Sequence, residues 1–133
     1  MLTRQQQLLQ NQTISVAAGD APANAYTSAP ITWGNEAGWV LIVRIGTPTG
    51  TTPTLTVELD LSDNGGAFTR VGGAIAALAA AGTYVFAYAT GTTQGAVVPA
   101  PVAGHTYAFQ VKGTLFGADN VIPGVFIDLI ALN

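Results

Sequence analysis

From Thr54 to Leu61 the chain alternates without a slip: Leu55, Val57, Leu59 and Leu61 share one parity, while Thr56, Glu58 and Asp60 share the other. A helix would scatter those apolar residues around its axis, whereas an extended strand places them all on one face. The run therefore predicts a half-buried antiparallel strand. It ends in Ser62-Asp63-Asn64-Gly65-Gly66, where Asn-Gly and Gly-Gly tolerate the positive φ angles of a tight hairpin. Phe68 to Val71 then reads as the returning strand.

The remaining segments speak the same language. Trp39 to Ile45 is a nearly continuous run of branched and apolar residues, which predicts a strand buried on both faces or nearly so. Thr13–Ala17, Thr83–Tyr88 and Val97–Val98 are further extended pieces, and Thr106–Lys112 alternates with Tyr107, Phe109 and Val111 inward. Val125 to Leu132 closes the chain as a strongly apolar strand. The stretches 46–53, 90–104 and 113–124 are rich in Gly, Pro and Thr and read as loops or turns. Ala74 to Ala81, bracketed by Gly72, Gly73 and Gly82, reads as a connection with one turn of helix.

The expected fold is all-β: an antiparallel β-sandwich or small jelly-roll-like barrel of about 7–8 strands. An N-terminal arm, residues 1–20, precedes a single domain, residues 21–133. Thr3 and Gln6 fit a capping box, so the arm is expected extended or as a short helix. Isolated helices so short hold poorly in water, so the arm is expected to be ordered by a neighbour or not at all. Deleting residues 1–12 is then expected to leave the domain folded.

Composition narrows the function. Charged residues make up only 8% of the 133 residues, and hydrophobic residues 49%. An ordinary soluble domain is about one-quarter charged. A surface this poor in charge points to a protein that packs against copies of itself or a partner. The net charge of −3 and the scatter of Arg4, Arg44, Arg70 and Lys112 argue against nucleic acid as a partner. Residues 71–104 carry no charge, but their glycines, threonines, Pro99 and Pro101 argue against a membrane span. The glutamine-rich start argues against a secretory signal. With no cysteine, thiolate catalysis, disulfides and Cys-ligated zinc are excluded, which suits folding in a reducing cytoplasm.

Catalytic groups are scarce. His105 is the sole histidine, and no G-x-S-x-G pattern accompanies it. Glu58 and Asp60 lie two residues apart on one strand face, a spacing open to a glycosidase pair but ordinary for a solvated sheet face. Asp60 and Asp63 faintly resemble part of a calcium loop without the EF-hand spacing; hairpin chemistry accounts for them as well. The expectation is no catalytic residue, no cofactor, no metal and no small-molecule substrate. Asp128, inside an apolar run, needs solvent or a partner such as Arg44 or Arg70. Tyr26 and Trp33 fall in irregular segments, where aromatic residues serve as binding anchors.

One stretch carries a resemblance. Gly46-Thr47-Pro48-Thr49-Gly50-Thr51-Thr52-Pro53-Thr54-Leu55-Thr56-Val57-Glu58, continuing through Asp63-Asn64-Gly65-Gly66 to Val71, and then Ala80-Ala81-Gly82-Thr83-Tyr84-Val85-Phe86, resembles small β-sandwich structural proteins of tailed bacteriophages. Many of those carry threonine and tryptophan where this chain has Ala67 and Phe68. The resemblance covers residues 39–88 and fades toward both ends. It implies a capsid decoration (cement) protein, made in the host cytoplasm and bound to the outer surface of the virion. Its partners would be the major capsid protein and further copies of itself, as trimer or dimer. Contacts are then expected from the arm and from the loops near 46–53 and 113–124, with Leu2, Leu8, Leu9, Tyr26, Trp33, Pro48, Pro53 and Phe116 as interface residues. The alternative is a tail- or fibre-associated module that binds carbohydrate or a receptor, in which a ligand quenches Trp33 or Trp39.

Overall fold

The structure is a computed structural model; it describes residues 3–15, 23–32, 38–71, 78–90, 96–98 and 102–132. The described residues form nine strands: β1 (Thr3–Ser15), β2 (Ala23–Thr27), β3 (Ile31–Thr32), β4 (Gly38–Ile45), β5 (Thr49–Asp63), β6 (Thr69–Arg70), β7 (Gly82–Thr90), β8 (Ala96–Val98) and β9 (Tyr107–Leu132). All belong to one sheet, and every pairing is antiparallel except β7 with β8. The all-β expectation holds.

Strand β9, 26 residues long, is the spine. Along one edge it pairs first with β4 and then with β5; Gly38 faces Leu132 at one end and Asp63 faces Tyr107 at the other. Along its other edge run β1, β2 and β3, in that order. Three stretches of chain thus lie side by side over most of the length of β9. The outer strands β7 and β8 extend the β4 half of the sheet, and β6 extends the β5 half.

Flat strands of this length could not build a core, so the sheet folds over. Its corner is marked in all three stretches. Asn11 of β1 has φ 50°, Gly124 of β9 has φ 59°, and β4 gives way to β5 at Gly46. These meet in space: a Cβ on Gly124 would sit 3.8 Å from Asn11 Oδ1 and 3.9 Å from the Gly46 nitrogen. Pro123 has no N–H to give the ladder, and its carbonyl accepts from the Gly46 nitrogen at 2.8 Å. Register shifts in β1 and β5 flank the same corner, as bulges do where strands turn between layers.

Folding over brings the two halves face to face. Trp39, near the far end of β4, meets Phe109, near the opposite end of β9, with ring centroids 4.8 Å apart. The shared core takes Leu41 and Val43 from β4, Leu55, Val57 and Leu59 from β5, and Val111, Leu115, Ile127 and Leu129 from β9, all at most 1% exposed. The alternation read from Thr54 to Leu61 is therefore the inner face of one layer.

The hairpin after β5 closes as expected. Asn64 and Gly65 both have positive φ, and the Gly66 nitrogen donates to the Asp63 carbonyl at 2.9 Å, the pattern of a type I′ turn.

Three expectations need correction. Residues 113–124 are not a turn region but part of β9. The helical alternative for the arm gives way to strand: Thr3–Ser15 pairs with β9 of its own chain, and Ile14 is buried. Deleting residues 1–12 would thus remove most of β1 from one edge of the spine. Strand β4 buries one face rather than two: Trp39, Leu41, Val43 and Ile45 are buried, whereas Val40 and Ile42 are half-buried and Arg44 exposed. The helical turn expected near Ala74 lies largely outside the described residues; Leu78 forms a bridge with Leu55.

Candidate interaction surface

Of the eight residues expected at an interface, Leu2 and Trp33 lie outside the described residues. Leu8, Leu9 and Tyr26 come together on the β1–β2 edge, where the Tyr26 hydroxyl donates to the Leu8 carbonyl at 3.1 Å. They line an open groove of about 310 Å³ with Gln10, Gln12, Thr13 and Ile14. Both leucines and Tyr26 pack against the core, and burial raises the Tyr26 hydroxyl above its ordinary pKa. Tyr26 sits in a strand, not in an irregular segment. Pro53 lies in β5 and Pro48 just before it, while Phe116 is in the spine itself, where it pairs with Thr54 and is 39% exposed. The six described residues therefore do not converge on one site.

The two outward faces of the sheet differ in chemistry. On the β5 half, Thr54, Thr56, Glu58 and Asp60 stand beside Thr114, Lys112 and Gln110 of β9, with Arg70 opposite Asp60. Arg70 Nε lies 3.6 Å from Glu58 Oε2, and Gln110 Nε2 donates to Asp60 Oδ2 at 3.3 Å. Burial first, and Asp60 second, raise the Glu58 carboxyl above its ordinary pKa, while Arg70 and Lys112 pull it down.

On the β4 half the outward face is apolar. Register places Val40 beside Ile130 and Ala87, and Ile42 beside Asp128 and Val85, with Arg44 beside Phe126 and Thr83. Val85 is 61% exposed. Gln5 and Gln7 of β1 border the row, opposite Ile130 and Asp128. Between Gln7, Ile42, Arg44, Thr83, Phe126 and Asp128 lies a depression of about 270 Å³. The Arg44 guanidinium stacks on the Phe126 ring, 4.0 Å from its centroid. Asp128 Oδ1 is shielded from solvent and receives no hydrogen bond. Sequence reading found Asp128 in need of a partner but not that its face is open; the signal was the excess of apolar residues in both Trp39–Ile45 and Val125–Leu132.

The candidate chemical groups are placed separately. His105 Nδ1 lies 2.7 Å from Asp63 Oδ1 in an exposed pair beside the hairpin, while Asp60 is buried against Gln110. Among the described residues no group of three or more His, Cys, Asp or Glu could hold a metal ion.

No protein-family model and no curated protein matches the sequence. Among solved structures the chain aligns with part of a chain from "Structure of infectious bursal disease virus Gx strain", with a TM-score of 0.40 and 9% identity. That alignment covers 98% of this chain and 39% of the other, so the chain spans well under half of that protein.

Proposed function

We propose that this protein is a structural, non-enzymatic component of a virion, and specifically a decoration protein bound to the outer surface of a phage head. The observation that carries the reading is the segment 46–71 with its continuation 80–86, whose pattern resembles small structural proteins of tailed bacteriophages. In the fold this pattern supplies β5, its hairpin to β6, and the start of β7. A chain with 8% charged residues and an open apolar sheet face is suited to shared interfaces. A decoration protein that binds only the mature shell stabilises it by mass action.

The test is the copy number of the chain in purified particles, by quantitative mass spectrometry against the major shell protein. Hundreds of copies in fixed ratio to the shell support the reading; complete absence from particles ends it.

A second reading, a carbohydrate- or receptor-binding module of a tail or fibre, draws support from the groove at Tyr26, Gln10 and Gln12. It predicts a handful of copies per particle. Trp39 is 1% exposed, so direct ligand contact would have to be read from Trp33 or Tyr26. A hydrolase reading would require His105 or Glu58 to matter, and unaltered function in His105→Ala and Glu58→Gln would remove it.

A further inference from the structure

We propose that the apolar outward face of the β1–β9–β4–β7 layer is the contact between two copies of this chain, related by a two-fold axis lying in the plane of the contact. The proposal does not depend on the virion reading.

Among the described residues, the face carries more apolar surface than its neighbours cover. Trp39–Ile45 and Val125–Leu132 carry apolar residues on both parities, the pattern of strands covered on both sides. One parity fills the core. The other leaves Val40, Ile42, Ile130 and Leu132 half-buried and Val85 exposed.

The charges on the face say what covers it. Among the described residues it carries one cation, Arg44, and one anion, Asp128, set diagonally on adjacent strands. The Arg44 guanidinium carbon lies over the Phe126 ring, and Asp128 Oδ1 is shielded without a donor. A two-fold axis in the plane of the contact, perpendicular to the line from Arg44 to Asp128 and over its midpoint, lays each residue over the other's counterpart. Each guanidinium then reaches the depression beside the opposing Asp128 and supplies the missing donor. Two such bonds form by symmetry, as an isologous contact requires, and an arginine–carboxylate bond is a strong, directional one. The face is thus complementary in charge to itself.

Its size sets the strength. Four strands about 4.8 Å apart and seven residues rising about 3.3 Å each span roughly 19 by 23 Å. Two such faces bury on the order of 900 Å², at the low end for specific contacts. The dimer is therefore concentration-dependent rather than permanent.

Sedimentation equilibrium of the full chain, from about 1 to 500 µM, reads this directly. The expected result is a monomer–dimer equilibrium. Arg44→Asp and Asp128→Arg each weaken dimerisation by about tenfold or more, and the double exchange, which restores opposite charges across the axis, recovers most of the loss. Val85→Lys, at an exposed position, weakens dimerisation while circular dichroism stays unchanged, which separates loss of contact from loss of fold. A wild-type chain that stays monomeric, forms a trimer, or dimerises equally well in both single exchanges overturns the proposal. So does a monomer whose Val85 cross-links to a shell protein, since that face would then serve a different partner. Copy number in particles is measured independently, so either idea can fail alone.

Discussion

The two layers of the folded sheet share one inner face and turn two different faces outward. Behind β5 stand Thr54, Thr56, Glu58, Lys112 and Thr114, with Phe116 at one end; behind β4 stand Val40, Ile42, Phe126, Ile130 and Val85, with Arg44 and Asp128 among them. Both layers bury leucine and valine inward to the same degree. The difference lies in the off-parity positions, so hydrophobic pattern records how many sides of a strand are covered rather than merely that it is a strand. A strictly alternating run declares one covered side. A continuous apolar run declares two, and here the chain itself supplies one.

The sharpest way to break the comparison is to attack what the layers share. Phe109→Ala removes the ring that meets Trp39 across the fold-over. A fully buried aromatic lost to alanine costs about 3–5 kcal/mol. If the layers are one cooperative unit, circular dichroism and Trp39 fluorescence, read in a Trp33→Phe background, shift to lower denaturant together. Separate transitions would show that each layer stands alone and that their common core is incidental.

Next in size is the corner. A Cβ on Gly46 would approach the Pro123 carbonyl oxygen to 2.8 Å and its Cγ to 3.2 Å. The first of these is backbone, so it cannot swing aside. Gly46→Ala is expected to cost about 2–3 kcal/mol, measured by urea unfolding. The corresponding change at Gly65, where a Cβ meets nothing within 4 Å but φ is 79°, costs about 1 kcal/mol through backbone strain alone. Equal costs would mean that the corner is no tighter than the surface hairpin.

These elements were unequally legible from the sequence. The alternation of Thr54–Leu61 and the Asn64-Gly65 turn are local chemistry, and both were readable. The spine was not. Gly113, Gly117, Pro123 and Gly124 look like turn residues, and in isolation they would be. In the fold Gly113 is a buried residue of β9 paired with Val57, and Gly124 takes the positive φ of the corner. The glutamine-rich start reads as helix by propensity, but pairing with β9 over thirteen residues outweighs a weak preference. Of the expected contact residues, Leu8, Leu9 and Tyr26 were placed together by a pairing that no local signal announces. The open face was written in Trp39–Ile45 all along; its exposure could be seen only once β4 had neighbours on its edges and, among the described residues, none on its back.

A smaller effect sharpens the contrast between the outward faces by copying one onto the other. Thr56→Ile with Thr114→Val places apolar side chains at a cross-strand pair on the polar face. Stability in dilute solution should change by no more than about 0.5 kcal/mol. Solubility should fall and concentration-dependent association should appear by light scattering, because a new patch has been made. Ile42→Thr on the apolar face should do the reverse. No change in association from either would mean that outward apolar residues do not govern contact in this protein.

The smallest effect is electrostatic and belongs to the polar face alone. Burial and the neighbouring Asp60 hold the Glu58 pKa above its ordinary value of 4.5. The folded chain therefore binds that proton more tightly than the unfolded chain does. Linkage then fixes the sign: the contribution of Glu58 to stability is greatest below the unfolded pKa and declines as pH rises through the higher folded value. Arg70 and Lys112 oppose the shift, and Arg70, at 3.6 Å, is the nearer lever. Glu58→Gln should flatten the decline of Tm with rising pH just above 4.5, and Arg70→Gln should steepen it. Each change should stay within about 0.5 kcal/mol at any one pH, as expected for partly exposed charges. If Arg70→Gln leaves the slope untouched, the cation does not compensate the carboxylate pair, and the polar face owes its tolerance of Glu58 beside Asp60 to solvent alone.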